Sequence, residues 1–425
     1  MKNSNIQWIG AIPDSWQLNK IGQLFNLRNE KVSDKDFAPL SVSRGGVVPQ
    51  MESVAKSDAS DDRKLVLIGD FAINSRSDRK QSCGVSPLNG SVSLINLILY
   101  AKDSNVIYND YMNYLLKNYG FAEEFYKWGH GIVADLWTTR WQEMKNIMLP
   151  LPSLEMQKKI FDFLNKKILE VNNLIEIENK QIEKLKEYKQ AVITEAVTKG
   201  LDKSAPMKDS GVEWIGEIPE DWEVCRVKNI GFTQNGISKS GELFGNGYPF
   251  ISYGDVYKHW VLPQTGSGLI ESTEKDRKIF SVNKGDIFFT RTSETIEEVG
   301  FSSVCFETIT NATFAGFLIR LRPYQPDSII KSNYAKYYFR ANLLRKYLVR
   351  EMNIVTRASL SQELLGAMSV VLPPPNTQIE ISLHLDSQCK KIDSLISIKQ
   401  KKIDMLNEYK KSLIYEYVTG KKEVV

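Results

Sequence analysis

The sequence predicts an α+β protein. Two globular α/β domains are each followed by a long α-helix, and the two helices pair as an antiparallel coiled coil about a pseudo-two-fold internal repeat. Three observations predict it. First, a nine-residue phrase occurs twice, WIGAIPDSW at 8–16 and WIGEIPEDW at 214–222. Six of the nine positions are identical, and a seventh keeps its acid as Asp14 or Glu220. Second, residues 151–198 align without a gap on residues 372–419, at an offset of 221. Third, both aligned stretches carry a narrow apolar stripe of helical period.

The stripe justifies the helices. Leu151-Pro152 and Ser153 form a helix start. Apolar residues then fall at Leu164, Ile168, Val171, Ile175, Ile182, Leu185, Val192 and Ala196. The second copy gives Leu385, Cys389, Ile392, Ile396, Ile403, Leu406, Leu413 and Tyr417. Steps of three and four residues are those of a coiled-coil seam. Each helix runs for about 45 residues, or roughly 65 Å at 1.5 Å per residue. So narrow a stripe stabilises a lone helix poorly, so the two helices are expected to pair with each other. Glu178, Lys189, Lys399 and Lys410 replace apolar residues in the seam. Antiparallel pairing brings equivalent midpoints together, so Glu178 and Lys399, opposite in charge, are expected to pair and fix the register.

The globular parts lie before each helix. Gly69-Asp70 in IGDFAINSRS resembles Gly285-Asp286 in KGDIFFTRTS. Between such markers the two copies have diverged, which suggests one scaffold holding two different surfaces. The expected boundaries are 1–150 for the first domain and 151–200 for its helix. A polar linker is expected at 201–212, the second domain at 213–372 and its helix at 373–425.

Composition narrows the function. The content is 42% hydrophobic and 25% charged, typical of a globular protein, with no apolar run long enough for a membrane span. The start lacks a signal-peptide pattern, and Cys83, Cys225, Cys305 and Cys389 form no CxxC pair. A cytoplasmic protein without disulfides or structural zinc is expected. Residues 1–150 hold 17 basic and 16 acidic side chains, and residues 201–372 hold 20 of each. Neither domain is basic overall, so any nucleic-acid affinity must come from local patches or from partners.

The repeated WIGxIPxxW entry and the Gly-Asp strand motif carry a family resemblance. So do the Leu-Pro exit with a Gln five residues on and the long helices ending EYKQAVITEAVTKG and EYKKSLIYEYVTG. Together they resemble the specificity subunit of type I restriction–modification systems. The match covers both halves in order. It implies that each variable region is a target-recognition domain reading one half of an asymmetric, bipartite site in double-stranded DNA. The helices would set the spacing and dock two modification subunits. Those subunits would carry S-adenosylmethionine and methylate adenine. Restriction subunits, using ATP and Mg, would complete the nuclease. The chain itself would bind no cofactor.

The residue inventory suits a non-catalytic chain. His130, His259 and His384 are scattered, and neither a phosphate-binding GxxxxGK[ST] loop nor an adenine-methyltransferase N/D-P-P-Y/F motif is present. Candidate DNA contacts are polar and basic side chains on loops. In the first half these are Arg44, Arg76, Arg79, Lys80 and Arg140. In the second they are Arg291, Thr292, Lys336, Arg340, Arg345 and Arg357, with Lys336 and Arg340 placed on one face of a basic helix. The alternatives are a specificity subunit of a related type II system and a coiled-coil adaptor that binds no DNA.

Overall fold

The structure is a computed structural model that describes residues 1–50, 62–131, 137–293, 299–351 and 358–424. It divides into two compact units. Unit 1 comprises Met1–Asn179 with Lys399–Val425, and unit 2 comprises Lys180–Ile398. The content is α+β. The central helix is Leu154–Lys199 and the C-terminal helix is Pro375–Val418, so each contributes one half to each unit.

Each unit is built on a four-stranded antiparallel sheet. In unit 1 the strands are β1 (Phe25–Leu27), β2 (Phe71–Asn74), β3 (Cys83–Val85) and β4 (Asn96–Ala101), in the order β3-β2-β4-β1. In unit 2 they are β5 (Gly231–Asn235), β6 (Ile287–Thr290), β7 (Ser302–Val304) and β8 (Leu318–Pro323), in the matching order β7-β6-β8-β5. Both faces of each sheet are covered, and strand alternation sorts the side chains. Phe71, Ile73, Leu97 and Leu99 enter the larger core with the helices, while Ala72 and Ile98 enter a small second core with Leu40, Val47, Val66 and Val92. In unit 2 Ile287, Phe289, Ile319 and Leu321 face the helix side, and Phe288 and Leu318 face a different second core around Phe250, Ile251 and Phe314. The helix side is the repeated frame. The opposite side is covered by segments that differ between the copies.

Entry and exit of each domain are paired. Gln17–Lys20, just after the first Trp phrase, pairs antiparallel with Met148–Leu151. Glu223–Arg226 pairs in the same way with Ser369–Leu372. The expected linker is shorter than 201–212, because Met207–Asp209 pairs with Glu217–Pro219 just as Lys2–Asn3 pairs with Ala11–Ile12. A polar sequence was insufficient to mark it as loop, since a two-stranded edge needs only backbone partners.

One glutamine joins each domain to its helix. Gln157 is fully buried; its Nε2 donates to the carbonyls of Val106 (2.9 Å) and Pro152 (3.0 Å), and its Oε1 accepts from Tyr108 N–H (2.9 Å). Gln378 repeats all three bonds with Ile329 (3.0 Å), Pro373 (2.8 Å) and Lys331 N–H (2.8 Å). Each domain also holds the end of the other helix. Tyr111 donates to Val418 C=O at 3.4 Å, and Tyr334 donates to Val197 C=O at 3.1 Å. Tyr415 donates to Trp8 C=O at 2.7 Å, and Gly200 lies against the Trp222 ring. The Trp phrases are therefore sockets for helix ends.

Within each unit the two helical segments run antiparallel. In unit 1 Phe163 meets Tyr417 (centroids 4.5 Å apart), Asn172 meets Lys410 (3.1 Å) and Glu178 meets Lys399 (3.0 Å). In unit 2 Lys189 pairs with Asp393 at 2.7 Å. Leu164, Val171, Ile182, Leu385, Ile392, Ile403 and Leu413 are buried. Ile168, Ile175, Leu185, Val192, Ile396 and Leu406 are half-buried. Glu178 is buried and accepts from two lysines, Lys402 at 2.6 Å and Lys399 at 3.0 Å.

Gln157→Leu leaves buried backbone groups without partners and should destabilise unit 1 by about 2–4 kcal/mol. Urea unfolding should show that loss, and Gln378→Leu should do the same for unit 2. Hydrogen bonds from Lys402 and then Lys399 hold the Glu178 carboxyl below its usual pKa. Its stabilisation is therefore present above the unfolded carboxyl pKa and fades as pH falls through the lower folded value. Glu178→Gln should lower the thermal midpoint at pH 7 and flatten its acid-side dependence. A double-mutant cycle of Glu178→Lys with Lys399→Glu should show coupling; additive midpoints would exclude a seam pin.

Candidate nucleic-acid interface

The candidate surface grows from the Gly-Asp turn. Gly69 and Gly285 sit at φ +90° and +86°, a conformation that favours glycine. The following carboxylate closes the turn. Asp70 accepts from Leu67 N–H at 2.9 Å, and Asp286 accepts from Asn283 N–H at 2.7 Å. Each is buried and clasped by an arginine, Arg28 Nε at 2.7 Å in unit 1 and Arg322 Nη2 at 2.6 Å in unit 2. Arg28 follows β1, whereas Arg322 lies in β8.

Past this turn the strand leaves the sheet and forms a short ribbon in both units. Arg76 bridges antiparallel to Thr138, and Thr139 N–H donates to Ser75 C=O at 3.0 Å. In unit 2 Thr292-Ser293 pairs with Ala358-Ser359, and Leu360 N–H donates to Arg291 C=O at 2.8 Å. Ser75 thus corresponds to Arg291, and Arg76 to Thr292. Each ribbon leads into a short helix, capped at Arg140 in unit 1 and Ser361 in unit 2.

Unit 1 gathers several predicted residues here. Arg44, at the turn of the hairpin Leu40–Ser43/Gly46–Pro49, donates from Nε to Lys80 C=O at 3.3 Å. Lys80 pairs with Glu123 at 2.9 Å. Arg76 and Arg79 flank Asp78, with Nε atoms 3.5 and 3.6 Å from its two oxygens. Arg44, Arg76, Asp78 and Arg79, but not Lys80, line a cleft of about 660 Å³. Among the described residues its lining holds Arg44, Arg63, Arg76 and Arg79 with the carboxylate of Asp78. Arg63 is structural; it is buried and donates to Ser91 Oγ (2.9 Å) and Ser91 C=O (3.0 Å). Arg140 is exposed beside the ribbon.

Unit 2 corrects the predicted basic stripe. Lys336 is spent on Asp386 of the C-terminal helix at 2.6 Å. Arg340 is 6% exposed and donates to the carbonyls of Ser302 (2.5 Å), Val256 (2.7 Å), Tyr257 (3.2 Å) and His259 (2.9 Å). Burial lowers its pKa to about 10. Arg345 lies 4.0 Å over the Phe301 ring. The reason is a break in the helix: one segment is Ser332–Tyr338 and the next Asn342–Glu351, so Arg340 falls between them and turns inward. Arg291 is half-buried and donates to Gly316 C=O at 3.4 Å. Thr292 stands on the ribbon, and Arg357 lies outside the described residues.

Comparisons with known proteins agree with this architecture. The family model for the type I restriction modification DNA specificity domain matches residues 219–408. The putative type I restriction enzyme MjaX specificity subunit of Methanocaldococcus jannaschii is 26% identical, over 97% of this chain and 95% of that protein. Residues 219–408 thus match a type I DNA specificity domain, and along nearly its whole length the chain is similar to a type I specificity subunit. The MjaVIII specificity subunit of the same organism is 29% identical over 65% of this chain and 62% of its own length. A solved structure on complex assembly and conformational transition of the type I R-M system matches the fold with a TM-score of 0.70. It is 15% identical and covers 96% of this chain and 98% of its own. The HsdS subunit from Thermoanaerobacter tengcongensis matches with a TM-score of 0.51 at 16% identity, over 99% and 100% of the two chains.

Asp78 was not legible in the sequence, because its place depends on the two arginines beside it. No helix among the described residues is long and apolar enough to cross a membrane. The inward turn of Arg340 yields a prediction. Arg340→Ala should leave several buried carbonyls unpaired and cost at least about 3 kcal/mol, read as a lower thermal midpoint with or without DNA. An unchanged midpoint with weakened DNA binding would restore Arg340 to the interface.

Proposed function

We propose that this chain is the DNA sequence-specificity subunit of a type I restriction–modification complex. Each unit reads one half of an asymmetric bipartite site. The observation that carries the reading is the two-faced sheet. Its helix side repeats between units, while the opposite side and the ribbon differ. One frame presenting two chemistries suits two half-sites of different sequence.

In this reading residues 1–150 and 213–372 are target-recognition domains, and the long helices form one antiparallel coiled coil relating them by a pseudo-two-fold axis. Opposed domains then read half-sites spaced as dimeric readers space theirs, with the helices setting the distance. Two modification subunits dock on the helices. Leu169, Leu174 and Ile177 in unit 1, and Leu383, Leu395 and Ile398 in unit 2, expose apolar surface that supports such docking. The modification subunits bind S-adenosylmethionine and methylate adenine; restriction subunits bring ATP and Mg. This chain is non-catalytic and supplies the address. The partners also supply much of the phosphate affinity, since neither domain is basic overall.

The test is methylation. Single-molecule sequencing of host DNA should show bipartite adenine methylation that disappears when this chain is deleted; persistence of all such methylation would sink the proposal. Because entry and exit strands of each domain pair with each other, the ends of the insert lie side by side. Exchanging residues 18–148 with those of a relative should therefore transfer one half-site and leave the other unchanged.

A further inference from the structure

We propose that Arg277, held over the Tyr248 ring, reads guanine in the half-site recognised by unit 2. The inference rests on the DNA-reading role above and assigns a residue and a base to it. Phe244–Ile251 pairs antiparallel with Gly268–Ile270 on the side of the sheet that differs between the copies. Phe244 and Tyr248 both stand opposite Ile270, so the residues between them bulge out of the pairing. Gly247 lies at φ +96°, and a Cβ there would come within 2.6 Å of the Ile270 carbonyl oxygen. Such a bulge re-aims the side chains beside it. Tyr248 is 39% exposed, and the Arg277 guanidinium lies 3.7 Å from the centroid of its ring. Arg277 comes from the short helix Glu274–Ile279, and its Nη1 also donates to Ser272 C=O. Stacking and that bond together fix the plane of the fork. Guanine presents N7 and O6 side by side in the major groove, and an arginine fork matches two adjacent acceptors. Adenine offers a donor beside its acceptor, cytosine a donor and thymine a methyl group, so none offers that pair.

Several arginines of the second domain are spent elsewhere. Arg320 and Arg340 are buried and donate to backbone carbonyls, Arg322 clasps Asp286, and Arg350 pairs with Glu351. Arg277 is half-buried and pairs with no carboxylate among the described residues. Its Nε and Nη2 likewise have no hydrogen-bond partner there. The neighbouring Asp276 is taken by Lys239 Nζ at 2.8 Å. A fork whose plane is set in advance suits a flat base edge, whereas a phosphate can be met from many directions. The location continues the ribbon surface. Lys239 also donates to Glu271 C=O at 2.9 Å. Two residues before it, Ile237 C=O accepts from Gly316 N–H at 2.8 Å, and Gly316 C=O accepts from Arg291. These bonds lead from the helix of Arg277 to the start of the ribbon. Unit 1 covers the same side of its sheet with a different hairpin, Leu40–Ser43/Gly46–Pro49, so the guanine contact belongs to one half-site.

The experiment uses the full chain assembled with its modification subunits. The wild-type complex is assayed first; absence of a bipartite motif refutes the DNA-reading role itself, and the contact with it. Given that motif, the exchange of residues 18–148 identifies the half-site read by unit 1. The other half-site must hold a G·C pair, and one without it overturns the proposal. Arg277→Ala removes the fork, and Tyr248→Leu removes the ring that positions it; each should relax the same guanine position in that half-site. Methylation of DNA with another base there should rise to within about tenfold of the cognate site. Continued dependence on the unit 1 half-site reports that each variant is folded and assembled. An unchanged motif in both variants overturns the proposal. So does a uniform loss on every sequence that low salt restores, the behaviour of phosphate contacts. A second measurement needs no variant: 7-deazaguanine at that position, which removes the N7 acceptor, should slow methylation by the wild-type complex about tenfold to a hundredfold. No effect at any guanine of that half-site would also overturn it.

Discussion

The buried glutamine after each Leu-Pro exit is the constraint on which the rest depends. Gln157 and Gln378 each satisfy two carbonyls and one N–H, all inside the protein. A side-chain amide has both donor and acceptor, so it can bridge a loop of the domain and the strand exit at once. No apolar residue could do this, and a charged one would be costly to bury. The joint therefore fixes the direction in which each helix leaves its domain. Tyr111 and Tyr334 then fix where the other helix ends. Every domain is held at one helix start and one helix end.

The seam depends on the same logic of few, specific polar contacts. Apolar residues at three- and four-residue steps stabilise the pairing but tolerate sliding by a heptad. Glu178 removes that freedom, because a slipped register would leave a buried carboxylate without Lys399 and Lys402. Lys189 with Asp393 does a related job in unit 2. The helices are thus specified by charge and stabilised by apolar burial.

Periodicity and repetition made the helices readable in the sequence, because a 3.6-residue period and a gapless alignment are local signals. Repeat register alone set Glu178 beside Lys399; Lys402, one turn from the seam position, gave no such signal. The ribbons were not readable. Arg76 meets Thr138, and Thr292 meets Ser359, across long loops with no shared pattern. Arg340 misled because charge at i and i+4 marks a face only on an unbroken helix, and this one breaks at the residue in question. Asp78 mattered only once folding had set it beside two arginines and a cleft.

The clasp of the Gly-Asp carboxylate constrains heredity as well as stability. Asp70 is held by Arg28 and Asp286 by Arg322, so the cation comes from before the aspartate in one copy and after it in the other. A recombination breakpoint between Arg28 and Asp70, or between Asp286 and Arg322, can join an aspartate to a foreign strand that lacks its arginine. The buried charge would then be unpaired and the hybrid would fold poorly. A crossover outside these intervals keeps each aspartate with its arginine, so a recognition surface exchanged there carries its own counter-ion.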